Sequence, residues 1–151
     1  MIRKPPRLVA ALSLGLFAAI AHAQTTPAGL WKSIDDESKK EKSLIRITES
    51  GGVFTGKLEK LLDPTAKADV VCDKCSDERK DQLILGLPII RNVKANADDA
   101  TLWEGGEILD PNNGKTYKVR LKPADGGKKL EVRGYIGAPL LGRTQTWIRA
   151  E

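Results

Sequence analysis

The chain has 151 residues, with 25 Lys+Arg against 20 Asp+Glu and a single histidine, a size that suits one domain with one core. Three basic residues (Arg3, Lys4, Arg7), an apolar run over 8–20 and the small-x-small pattern Ala21-His22-Ala23 mark residues 1–23 as a secretory signal peptide, so the chain expected to do the work starts near Gln24, is close to neutral and contains no histidine. That excludes Ser-His-Asp and Cys-His catalysis and histidine metal sites, gives no footprint for nucleic acid, and leaves no stretch near the ~20 apolar residues of a membrane helix.

The expected destination is the periplasm, or the medium if the protein is fully secreted. Residues 24–28 are short and polar and are expected to be flexible. Residues 29–151 form the single domain. Within it, residues 43–49 alternate Ile45 and Ile47 with Arg46 and Thr48. Glu49-Ser50-Gly51-Gly52 then turns the chain into a second strand over 53–61, with Phe54, Gly56 and Leu58 on one face, which makes a hairpin. Residues 63–82 carry both cysteines and many charges with no period, and read as a long surface loop of the kind that is often functional. Pro88 enters a strand at 89–94. A strand over 102–109 contains Gly105-Gly106, a bulge or bend. Asp110-Pro111-Asn112-Asn113-Gly114 is the strongest turn signal. Residues 116–122 alternate cleanly, with Tyr117, Val119 and Leu121 facing in. Strands over 130–135 and 144–149 complete seven to nine short strands in meander order, the pattern of an antiparallel barrel or sandwich.

Three blocks carry a family resemblance: Gly29-Leu30-Trp31, the run from Trp103-Glu104-Gly105-Gly106 through Asp110-Pro111-Asn112-Asn113-Gly114 to Tyr117, and Gly134-Tyr135-Ile136-Gly137 leading into Leu141-Gly142-Arg143-Thr144-Gln145-Thr146-Trp147-Ile148-Arg149. Together they resemble the exported bacterial family catalogued as domain-of-unknown-function family 2147. That family is similar in architecture to lipocalins and other calycins. The resemblance implies an all-β, antiparallel up-and-down barrel of about eight strands with one long Cys-containing loop. It also implies a structural group in which Gly29-x-Trp31 packs near an arginine of the last strand, Arg149 or Arg143. The family carries no established activity.

Several constellations have chemistry to weigh. Cys72-Asp73-Lys74-Cys75 in an exported chain favours a disulfide. A redox dithiol would want a helix start beside it, and zinc would want more ligands than two cysteines. Asp35, Asp36 and Glu37 cluster after the first strand. Glu104 and Glu107 flank the double glycine, where a bulge would bring two carboxylates to one side for acid–base work. Asp110 to Gly114 lacks the ligands of a calcium loop. Lys118, Arg120 and Lys122 form an outward basic row near Lys128, Lys129 and Arg133. It suits either an anionic polymer or lipid head group, or simple protection of the sheet from edge pairing. The aromatics either line a cavity or plug the barrel.

The leading expectation is a non-enzymatic barrel binding a small apolar or amphipathic ligand. Trp31, Trp103, Tyr117, Tyr135, Arg143 and Trp147 are the candidate ligand residues, and no catalytic residue, metal or cofactor is expected. The alternatives are a filled barrel acting as an interaction module for an envelope protein or anionic polymer, and an enzyme relying on carboxylates or the cysteine pair.

Overall fold

Side chains on a strand alternate between two faces, and here one parity of every strand turns into a common interior. The computed structural model describes residues 25–151. The expected signal peptide, residues 1–23 with His22, lies outside the described residues, as does Gln24. The elements are β1 (Gly29–Ile34), β2 (Glu41–Ser50), β3 (Val53–Leu61), β4 (Pro88–Ala95), β5 (Trp103–Asp110), β6 (Lys115–Ala124), β7 (Lys129–Tyr135) and β8 (Arg143–Arg149), with 3-10 turns at Asp125–Gly127 and Pro139–Leu141. The strands pair in sequence order, and β1 also pairs with β8, so the sheet is a closed barrel. Closure gives every strand a partner on both sides, with β1 and β8 meeting at Trp31–Arg149 and Lys32–Ile148.

The β2–β3 hairpin is tighter than its sequence suggests. Ser50 pairs with Val53, leaving a two-residue turn of Gly51 (φ 57) and Gly52 (φ 80). Positive φ at both positions gives the primed turn whose twist matches the strands, and glycine is the residue that adopts it without strain. At Gly105 (φ 81) the β5–β6 register slips between Trp103 and Gly106, so the double glycine is a bulge. β4 begins at Pro88, paired with Lys57, the strand-initial position that proline tolerates.

The two ends of the barrel differ. One end holds the β2–β3, β4–β5 and β6–β7 turns and residues 25–28, and its interior is filled. Trp31, Ile90, Val93, Val119, Leu121 and Leu130 are all fully buried there, and Phe54 meets Trp103 edge-on at a centroid distance of 6.2 Å. Burying each such side chain contributes about 1.5–3 kcal/mol. The segment expected to be flexible contributes here: Pro27 is fully buried and its carbonyl accepts a 2.7 Å hydrogen bond from Trp31 Nε1. The other end holds the loops 35–40, 62–87, 111–114 and 136–142, and is open.

Residues 62–87 form turns but no helix. Their middle folds back on itself: Cys72 N donates to Gln82 O (2.9 Å), Asp81 N to Cys72 O (2.9 Å) and Ile84 N to Val70 O (2.9 Å). Gly86 N donates to Leu58 O (2.7 Å), tying the loop to β3. At the tip Cys72 and Cys75 form a disulfide and are buried. The tip presses so closely on the β5–β6 turn that a side chain at Gly114 would collide with the Lys74 carbonyl and the Cys75 amide.

Candidate functional site

The open half of the interior has smaller side chains than the closed half. Where the closed half carries tryptophan, phenylalanine and isoleucine, the inward positions toward the mouth are Ser33, Ser43, Val132, Gly134 and Gln145. Space follows from that composition: a cavity of about 790 Å³ opens at this end, within the range of small-molecule sites. Its apolar wall includes Ile45, Leu58, Ile89, Ile108, Val132 and Trp147.

One strand supplies a graded column. On β8 the inward residues run Trp147, Gln145, Arg143 from depth to rim. Trp147 is buried, and its Nε1 donates to Gln145 Oε1 at 3.1 Å. Gln145 Nε2 lies 3.5 Å from Asp36 Oδ2, and Arg143 Nε lies 3.1 Å from the same oxygen. Asp36 therefore ties the β1–β2 loop to the neighbouring strand β8 at the mouth. Beside this column, on β1 and β2, Ser33 and Ser43 share a 2.7 Å hydroxyl–hydroxyl hydrogen bond, both buried. Tyr117 lines the cavity and its hydroxyl accepts from Asn113 Nδ2 at 3.1 Å.

The rim loop 35–40 is held by one carboxylate. Asp35 Oδ1 accepts from Ser38 N (2.7 Å), Ser38 Oγ (2.8 Å) and Glu37 N (3.2 Å). These bonds, led by that from the Ser38 amide, hold the Asp35 carboxyl down to about 2. Asp35 is thus an ionised turn-former and not a proton donor at neutral pH.

The candidate ligand residues separate into two groups. Tyr117, Arg143 and Trp147 line the cavity. Trp31 and Trp103 belong to the packed closed end, and Tyr135 points outward, where Arg120 lies 5.9 Å from its ring centroid. At the closed end Arg149 Cζ stands 4.2 Å over the Trp31 ring, while Arg143 sits at the opposite mouth. Gly29 sits at φ 137, a conformation L side chains rarely adopt, and a Cβ there would push the Arg149 guanidinium from its place over Trp31. Ser33, Ser43 and Gln145 did not stand out in the sequence. Their signal was parity: each lies two residues from an inward apolar residue, Trp31, Ile45 or Trp147.

The other chemical candidates have partners of their own on the outer surface. The bulge does turn Glu104 and Glu107 to the same outer face, but Glu104 pairs with Arg120 (2.7 Å) and Glu107 with Arg91 (2.5 Å). The disulfide leaves Cys72 and Cys75 without a thiol in this state. Among the described residues no three His, Cys, Asp or Glu side chains gather as a metal site.

A family model described as "Uncharacterized protein conserved in bacteria (DUF2147)" matches residues 29–149. Among solved structures, a Helicobacter pylori protein whose title states that it belongs to the lipocalin family is similar, with 21% identity, a TM-score of 0.68 and 82% of each chain covered. At that identity the likeness is one of fold. No curated protein matches the chain.

Proposed function

The chain belongs to the bacterial family DUF2147, matched over residues 29–149, and from that premise we propose that it is an exported, periplasmic barrel that binds a small apolar or amphipathic molecule in its open-end cavity. The observation that carries this reading is the gradient in that cavity: an apolar wall ending in Trp147 below, and Gln145, Arg143, Asp36 and Tyr117 at the entrance. An amphiphile would place its chain below and its polar group at the rim. The lipocalin-like fold, which leaves a pocket at one barrel mouth, supports the same reading.

Titration with cis-parinaric acid tests it. Trp147 is the tryptophan that lines the cavity, so its emission is expected to quench saturably through energy transfer to the bound probe. Gly134→Leu should weaken the probe by at least about tenfold while preserving the circular dichroism spectrum. Gly134 does not have positive φ, and a Cβ there meets Tyr117 and Ile108 at 3.6 and 3.7 Å, ordinary contact distances. The rest of the leucine would project into the cavity. A probe that binds Gly134→Leu as well as wild type, or does not bind either, refutes the reading. Export is tested by the mass of protein recovered from a periplasmic extract, expected to begin at Gln24; an uncleaved chain confined to the cytoplasm would contradict it.

A further inference from the structure

The β7–β8 loop presents the most exposed large apolar side chains of the described residues: Leu140 is 87% exposed, Leu141 78% and Ile136 66%. This exposure is held in place. Arg133 on β7 donates Nε to Pro139 O (2.7 Å), Nη2 to Leu140 O (3.3 Å) and Nη1 to Thr144 Oγ1 (2.7 Å). The turn is closed by Leu141 N donating to Ala138 O (3.1 Å) and Gly142 N to Pro139 O (3.2 Å). A guanidinium with all its arms engaged thus fixes a turn whose two leucines face solvent. Isolated exposed aliphatics are ordinary, but three within the one loop 136–142 mark a candidate interaction site.

The surface beside the tip is basic. On the outer faces of β6 and β7, Lys118 lies opposite Tyr135, Arg120 opposite Arg133 and Lys122 opposite Glu131. The acidic neighbours are Glu131, Glu104, which pairs with Arg120, and Glu107, which lies opposite Lys118 and pairs with Arg91. From the open end downward the order is therefore an aliphatic tip, then Tyr135 with Lys118, then Arg120 and Arg133.

We propose that this face docks on an anionic lipid bilayer. Leu140 and Leu141 enter the acyl boundary, Tyr135 lies at head-group level, and Lys118 meets lipid phosphates. Charge complementarity selects this occupant: Glu107 and Glu104 are taken up by Arg91 and Arg120, which leaves Lys118 as the cation beside the tip without an ion pair among the described residues. Shape agrees, since three side chains on one projecting turn offer far less than the ~800 Å² per partner of a standard protein interface. Gly134 and Arg143, on the two sides of the loop, line the cavity, so docking sets the cavity mouth beside the lipid. The proposal goes beyond the ligand reading and does not require the cavity to be filled.

Flotation with vesicles of phosphatidylethanolamine and phosphatidylglycerol, compared with phosphatidylcholine vesicles, tests it; all proteins compared carry the same N-terminus. Wild type is expected to float with the anionic vesicles and to be released by high salt. Lys118→Glu should weaken the interaction by about tenfold or more, and Leu140→Asp with Leu141→Asp should reduce it to background. Unchanged circular dichroism and thermal midpoints show that the variants fold, and Leu140→Ser with Leu141→Ser replaces the aspartates if they disturb the turn. Wild type that leaves anionic vesicles bare, or a leucine variant that binds them undiminished, overturns the proposal. Equal binding to phosphatidylcholine that Lys118→Glu does not alter overturns it too. So does self-association that the leucine variant abolishes while vesicles stay bare, which would assign the tip to a second copy of the chain.

Discussion

Trp31→Ala is expected to lower the unfolding free energy by about 3–5 kcal/mol. The indole is fully buried, so truncation leaves a void that the surrounding Ile and Val side chains can close only in part. Two polar consequences add to it. The buried Pro27 carbonyl loses its donor, and an unsatisfied buried group costs about 1–3 kcal/mol. The Arg149 guanidinium loses the ring beneath it while remaining bonded to Gly127 O (2.5 Å) and Ala28 O (3.2 Å). The position is also critical to topology. β1 joins β8 through the register pairs Trp31–Arg149 and Lys32–Ile148 and the hydrogen bond from Ala150 N to Leu30 O (2.8 Å), so the seam of the barrel is short and Trp31 stands on it. Denaturant unfolding followed by circular dichroism measures the effect. Trp31→Phe should lose less, because a ring stays under the guanidinium. A loss below about 1 kcal/mol for the alanine variant would mean that the seam holds without the indole.

The strands were legible because their signals are local. Tyr117, Val119 and Leu121 alternate with Lys118, Arg120 and Lys122 whatever the rest of the chain does, and Gly51-Gly52, Gly105-Gly106 and the Asp110–Gly114 run mark turns or bulges by backbone geometry alone. Membership of a barrel end is a different kind of fact. Trp31, Trp103 and Trp147 are all inward-facing tryptophans, yet two lie in the packed half and one in the cavity. The difference is set by strand tilt and by what stands across the barrel, neither of which is written in the strand itself. Ser33 and Ser43 illustrate the same limit: each looks like an ordinary strand serine until pairing of β1 with β2 brings the hydroxyls together. Long-range charge pairing was the least legible. Arg79 sits in a run of charged residues that reads as solvated loop, and its burial follows only from how that loop lies against β4, β5 and β6.

Arg79→Met is therefore expected to release the 62–87 loop while leaving the barrel folded. The arginine side chain is only 2% exposed and reaches Asp77 (2.6 Å), Pro88 O (2.9 Å), Thr116 Oγ1 (3.4 Å) and Glu107 (3.5 Å). Arg91 completes the cluster through Glu107 and Glu78. Deleting one member of a fully buried pair costs about 3–5 kcal/mol; here the carboxylates left behind are about one-third exposed, so about 2–3 kcal/mol of loop docking is the expected loss. The readouts are faster tryptic cleavage at Lys74 or Lys80 and faster reduction of the Cys72–Cys75 disulfide, with the strand signal in circular dichroism retained. Acid should reproduce the effect in wild type. The hydrogen bonds from Arg79, foremost, hold the Asp77 carboxyl at about 2, below its ordinary 3.8. A carboxyl depressed on folding contributes stability that is complete above its unfolded value of about 3.9 and lost as pH falls through the folded one. Disulfide protection in wild type should therefore weaken between about pH 4 and pH 2, and Arg79→Met should show a weaker dependence, since its Asp77 keeps only the Arg91 guanidinium, 3.7 Å away. A variant whose loop resists trypsin and reductant as wild type does would show that the backbone bonds to β3 and the buried disulfide suffice, and would remove Arg79 as the clamp at the edge of the mouth.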